Sequence, residues 1–152
     1  MDVTKKLAEL GWTLPPAPKP IAAYLPATRS GKLLFVSGQL PMRDGKLLAA
    51  GKVPSAVSPE AAQKAAAQCA VNALAIVIAE LGDWEQLVRV VRIGVFVQSD
   101  DNFHDQAKVA NGASELLQQI FGESGRHARA AVGTNALPLD AAVEIEFVFE
   151  TR

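Results

Sequence analysis

Gly125-Arg126-His127-Ala128-Arg129-Ala130-Ala131-Val132, followed by Leu137-Pro138 and then by Val143-Glu144-Ile145-Glu146, carries the most information in this chain. An arginine heads an otherwise apolar segment, and its guanidinium is a planar, permanently charged fork suited to a carboxylate or phosphate. Downstream, Val143, Ile145, Phe147 and Phe149 alternate with Glu144, Glu146 and Glu150, the period of a half-buried strand. Residues before Pro138 and after Asp140 therefore read as two strands joined by a short turn. If residues 129–137 pair antiparallel with residues 141–150, Arg129 and Glu144 stand roughly 15–17 Å apart along the ladder, at ~3.4 Å per residue. One small ligand cannot touch both within a single chain. Either the two are unrelated, as surface arginines and glutamates commonly are, or a second copy of the chain completes a site.

Working outward, Ser58-Pro59-Glu60 is a helix start: a capping hydroxyl, a proline in the first turn and an acid at the positive end of the dipole. The helix is expected to reach Leu81 and stop at Gly82. Its Ala65, Ala66, Cys69, Ala73, Ile76 and Val77 form a face of mostly small side chains that permits close approach to a sheet. Residues 87–97 are β-branched and read as a buried central strand. A second helix is expected over residues 105–121, ending at Gly122. Upstream, residues 32–37 form a strand candidate before Gly38, and Asp44-Gly45 is a turn signal. Residues 2–10 read as a short helix stopped by Gly11. Residues 14–20 are proline-rich and read as an extended linker, with Tyr24 opening the compact part. The expected organisation is an N-terminal helix and linker over residues 1–20 and a single domain over residues 21–152. Strands at both ends with two helices between them predict an α+β sandwich with its helices on one face.

The bulk properties exclude several classes of function. The chain has 152 residues, a net charge of −1 and one cysteine, Cys69. Near-neutral charge supplies no general pull toward nucleic acid, and a lone cysteine rules out an intramolecular disulfide or a multi-cysteine zinc site. Cys69 reads as a buried structural thiol in the middle of its helix. The N-terminal residues are amphipathic rather than continuously apolar, and the apolar run over residues 73–79 is far short of the ~20 needed to span a bilayer. A cytoplasmic protein with no membrane attachment is expected. His104 and His127 are the only histidines and share no metal-ligand spacing. There is no GxSxG, GxGxxG or P-loop, so no metal and no nucleotide cofactor is expected. Taken singly, Tyr24 reads as a packing residue, Ser37 as a turn hydroxyl, Asn111 as an exposed helix position and His127 as a surface histidine.

Taken together, these positions resemble the Rid/YjgF family of reactive-intermediate (enamine and imine) deaminases, which also carries the labels endoribonuclease L-PSP and translation inhibitor. The resemblance runs from Tyr24 through Glu150. It rests on Phe35-Val36-Ser37-Gly38-Gln39-Leu40-Pro41, on Ala128-Arg129 followed by Leu137-Pro138, and on Val143-Glu144-Ile145-Glu146. Phe103 and Asn111 echo the family's helix. The chain is most similar to a longer subgroup carrying Lys108-Val109-Ala110-Asn111-Gly112-Ala113 and Gly125-Arg126-His127-Ala128-Arg129. What the resemblance implies is a chorismate-mutase-like (Bacillus type) mixed sheet with two helices packed on one face, a homotrimer, and clefts between subunits. It also implies hydrolysis of small 2-imino acids, such as 2-iminobutanoate and 2-iminopropanoate, to 2-keto acids and ammonia without a cofactor. Arg129 matches the arginine that holds the substrate carboxylate, and Glu144 the glutamate that positions or activates water. Tyr24, Ser37 and Asn111 fall on cleft positions. Ala131 lines the cleft where many members have a cysteine, and His127 stands where many have a proline. A non-catalytic metabolite-binding role is the alternative. An RNase or translation-inhibitor role is a third, against which the low aromatic content and the lack of a basic-aromatic stripe both count.

Overall fold

The computed structural model describes residues 2–18 and 23–152. Lys19 and Pro20, the end of the expected linker, lie outside the described residues. In chain order the elements are α1 (Val3–Glu9), β1 (Ala27–Ser30), β2 (Leu33–Gln39), β3 (Met42–Arg43), β4 (Lys46–Leu47), α2 (Pro59–Leu81), β5 (Leu87–Gln98), α3 (Gln106–Phe121), β6 (Ala128–Thr134) and β7 (Val143–Thr151). The local signals act as their chemistry requires. Ser58 Oγ accepts from the Ala61 amide at 3.1 Å, and α2 ends where Gly82 takes φ 74°. Asp44 and Gly45, both at positive φ, turn β3 into β4, the arrangement a two-residue hairpin needs.

Five strands form one mixed sheet in the order β1-β2-β7-β5-β6. This corrects the expected hairpin. β6 does not pair with β7; β5 lies between them, parallel to β6 and antiparallel to β7. The reason is the connection: β5 and β6 are joined through α3, and a helical crossover is what parallel pairing requires. Alternation of apolar and polar residues marks a strand whoever its neighbour is, so it could not reveal the inserted partner.

One face of the sheet is packed. Leu34 and Val36 of β2, Ile93, Val95 and Val97 of β5, and Ile145, Phe147 and Phe149 of β7 are buried with α2 and α3 against them. The Phe147 and Phe149 rings stack with centroids 6.0 Å apart. α2 is apolar and long enough to cross a membrane by composition alone, but 72% of its most apolar window is buried in this fold. Val3 and Leu7 of α1 join the same core; α1 packs on α3, and of the three described helices α2 and α3 are the two packed on the sheet. The crossing of α2 and α3 is close because Gly112 has no side chain: a Cβ there would overlap the Gln63 backbone carbonyl. Backbone cannot yield as a flexible side chain does. Gly112→Ala is expected to lower stability by about 1–3 kcal/mol, read as a fall in melting temperature.

Among the described residues no helix lies over the other face of the sheet. Phe35, Phe96 and Val132 are exposed there, beside an ion pair between Arg92 and Glu146 at 3.2 Å.

Candidate functional site

Arg129 stands opposite Ile93 in the β5–β6 register, so its side chain leaves the sheet on the helix-covered side at the β6 edge. There α3 receives it. Nη1 donates to Asn111 Oδ1 at 2.8 Å and to Ser114 Oγ at 3.0 Å. Nη2 donates to the Ala107 carbonyl at 3.3 Å. Ala107, Asn111 and Ser114 are four and three residues apart and share one helix face. A guanidinium has five N–H donors. Three are occupied, and among the described residues the Nε–H and the second Nη2–H have no protein partner. Those two donors suit bidentate capture of a carboxylate.

His127, two residues upstream of Arg129, belongs to the same constellation. Its Nδ1 lies 2.7 Å from the Gly125 carbonyl, and its Nε2 lies 3.0 Å from Ser114 Oγ. This corrects the reading of His127 as a surface histidine: it is half-buried and bonded at both nitrogens. Burial lowers its pKa, the Gly125 bond opposes that shift, and the charge of Arg129 adds to it. Ala131 follows on the same face, half-buried and packed against the core.

A second group of residues gathers around β2 and β7. Glu144 stands opposite Phe96, on the face without helices. Its carboxylate lies over Gly38, where a Cβ would overlap it. The bulge between Val36 and Gln39 places that glycine. Glu146 lies similarly over Gly94. Burial, and then the neighbouring charge of Glu146, raise the Glu144 pKa above its ordinary value. Ser37 Oγ donates to the Leu25 carbonyl at 2.7 Å, tying β2 to the segment that carries Tyr24. The Tyr24 side chain is exposed beside a cleft of about 630 Å³, lined also by Pro15, Gly38, Gln39, Met42 and Asn72.

The structure thus brings Arg129, Asn111 and Ala131 together, ties Ser37 to the residue after Tyr24, and sets Glu144 over the adjacent Gly38. It does not join the two groups. Arg129 and Glu144 are two strands apart and offset by three residues, roughly 14 Å between Cα atoms, and they point to opposite faces of the sheet. Sequence reasoning missed Ser114, although its i+3 spacing from Asn111 was a usable signal. The Ala107 carbonyl left no signal, because a backbone group has no sequence identity. Cys69 is fully buried, as expected, and burial followed by the charge of Glu144 pushes its thiol pKa well up. Among the described residues no three His, Cys, Asp or Glu side chains converge on a possible cation position.

The profile of the family described as Endoribonuclease L-PSP matches residues 15–150. The chain belongs to the Rid/YjgF (endoribonuclease L-PSP) family. Within that family it is similar to protein TCP17 of Trypanosoma cruzi, 42% identical over 149 residues that cover 97% of this chain and 93% of that one. It is 30% identical over 136 residues to a 2-iminobutanoate/2-iminopropanoate deaminase of Dermatophagoides farinae, covering 88% of this chain and 90% of the relative. A solved Agrobacterium tumefaciens protein of unknown function superimposes with a TM-score of 0.94 at 49% identity, covering 99% of this chain and 92% of that one. The α+β chorismate-mutase-like fold is that of the Rid/YjgF family.

Proposed function

We propose that this Rid/YjgF protein hydrolyses small 2-imino acids to 2-keto acids and ammonia, in clefts formed between the subunits of a homotrimer. The observation that carries this reading is the Arg129 guanidinium, held by three acceptors on α3 with two donors left over. An immobilised fork of that kind orients a small carboxylate and offsets its charge. The carbon of the adjacent C=N bond is electrophilic and needs only a water held by an acceptor. Glu144 is the acceptor proposed, supplied by the neighbouring subunit because its own chain turns it to the other face. Water adds to the imine carbon, the nitrogen takes up a proton, and the resulting carbinolamine loses ammonia to leave the keto acid. Tyr24, Ser37 and Asn111 line the cleft, and Ala131 leaves room beside the clamp.

The exposed Phe35, Phe96 and Val132 on the uncovered sheet face support assembly, because apolar side chains gathered on one face favour burial against a partner. The deaminase name of the Dermatophagoides relative supports the chemistry. The test is a coupled assay in which an amino-acid oxidase or a threonine dehydratase generates imines in place and keto-acid release is followed. Acceleration by the wild type is expected. No acceleration across several amino acids would overturn the reading in favour of a metabolite-binding protein.

A further inference from the structure

We infer that Ser114 and His127 are positioning residues, which fix the Arg129 guanidinium through a directed chain of hydrogen bonds. The inference rests on the carboxylate-clamp reading above, and it assigns a role to two residues outside the set the family resemblance implies.

The direction of the chain follows from its fixed end. The Gly125 carbonyl can only accept, so the His127 Nδ1, 2.7 Å away, carries the proton. In a neutral ring Nε2 is then an acceptor. Ser114 Oγ lies 3.0 Å from Nε2, and its hydroxyl proton points there. Its lone pairs are left for Arg129 Nη1, also at 3.0 Å. Each link runs one way, from guanidinium to hydroxyl to imidazole to carbonyl. Burial and the charge of Arg129 both favour the neutral ring that this order needs.

The consequence is mechanical. Arginine has a long, rotatable side chain, and one bond to Asn111 leaves the guanidinium plane free to swing. A second acceptor on Nη1, together with Ala107 on Nη2, fixes the plane and aims the two remaining donors. The imidazole contributes by holding the Ser114 hydroxyl with its lone pairs toward the arginine. A free hydroxyl could turn its proton to the guanidinium and oppose the bond. Neither Ser114 nor His127 needs to touch substrate for this effect.

The test uses 2-oxobutanoate as a stable carboxylate probe, titrated calorimetrically into the intact oligomer of the wild type, Ser114→Ala, His127→Ala and His127→Gln. The glutamine amide oxygen can accept where Nε2 did. Ser114→Ala and His127→Ala are expected to weaken binding about five- to tenfold, the effect of one ordinary hydrogen bond. His127→Gln is expected within about twofold of wild type, since it restores that bond. Nitrogen-15 spectra of wild-type protein are expected to show His127 protonated at Nδ1, a readout that needs no variant to fold. Wild-type affinity in both alanine variants, or a proton on Nε2, would overturn the inference and leave the clamp standing. A wild type that fails to bind 2-oxobutanoate would remove the clamp, and this inference with it.

Discussion

Replacing Arg129 with alanine is expected to abolish accelerated imine hydrolysis and leave the assembled protein folded. The substitution removes the proposed carboxylate anchor, and losing a charge-assisted bidentate contact typically costs about 2–5 kcal/mol, a rate loss of roughly thirtyfold to several thousandfold. The effect on folding should be small. Arg129 is exposed at a sheet edge, and the acceptors it leaves on α3 can turn to water. Surface changes of this kind usually stay within about 0.5 kcal/mol, with about one hydrogen bond's worth more here. Arg129→Lys is not expected to restore activity, because an ammonium keeps the charge but lacks the planar fork. Initial rates in the coupled assay, beside size-exclusion profiles of each variant, provide the check. Turnover within tenfold of wild type in Arg129→Ala would sink the assignment of the clamp.

A second large effect is expected from mixing two inactive variants. Arg129→Ala and Glu144→Ala should each be inactive alone. Co-expressed, they should recover activity, because the two residues lie on opposite faces of one chain and, on the proposed reading, a complete site takes one from each of two chains. In a three-fold ring assembled at random from equal amounts, one chain must supply the arginine and its neighbour the glutamate. That occurs at roughly a quarter of the interfaces. Tagging the variants differently and purifying only mixed assemblies sharpens the measurement. No recovery in verified mixed assemblies would mean that Arg129 and Glu144 do not serve one site across a subunit boundary.

The elements were largely legible in the sequence, and their arrangement was less so. The start of α2 could be read from Ser58-Pro59-Glu60 because capping is a local event, settled by a hydroxyl and an amide three residues apart. The ends of α2 and α3 could be read from Gly82 and Gly122, both at positive φ. The pairing of β6 with β5 could not, since it depends on a crossover through α3 rather than on anything in β6 itself. β1 was missed as well: only Ala27 of its four residues is buried, so it carries no alternation. The candidate site divides along the same line. Arg129, Glu144 and Asn111 were legible through their resemblance to a known pattern. The role inferred for Ser114 and His127 rests on three hydrogen bonds that link α3, the segment before β6 and β6 itself, and neither residue type announces such a role alone.

Opposite facing of Arg129 and Glu144 has a consequence for how output scales with the amount of protein. On the proposed reading, a solitary chain holds an arginine clamp without an acceptor on one side and an acceptor without a clamp on the other. Diluting the protein below the range in which its subunits associate would silence it without unfolding it. Specific activity per chain would then rise with protein concentration before levelling off, so that abundance itself acts as the switch.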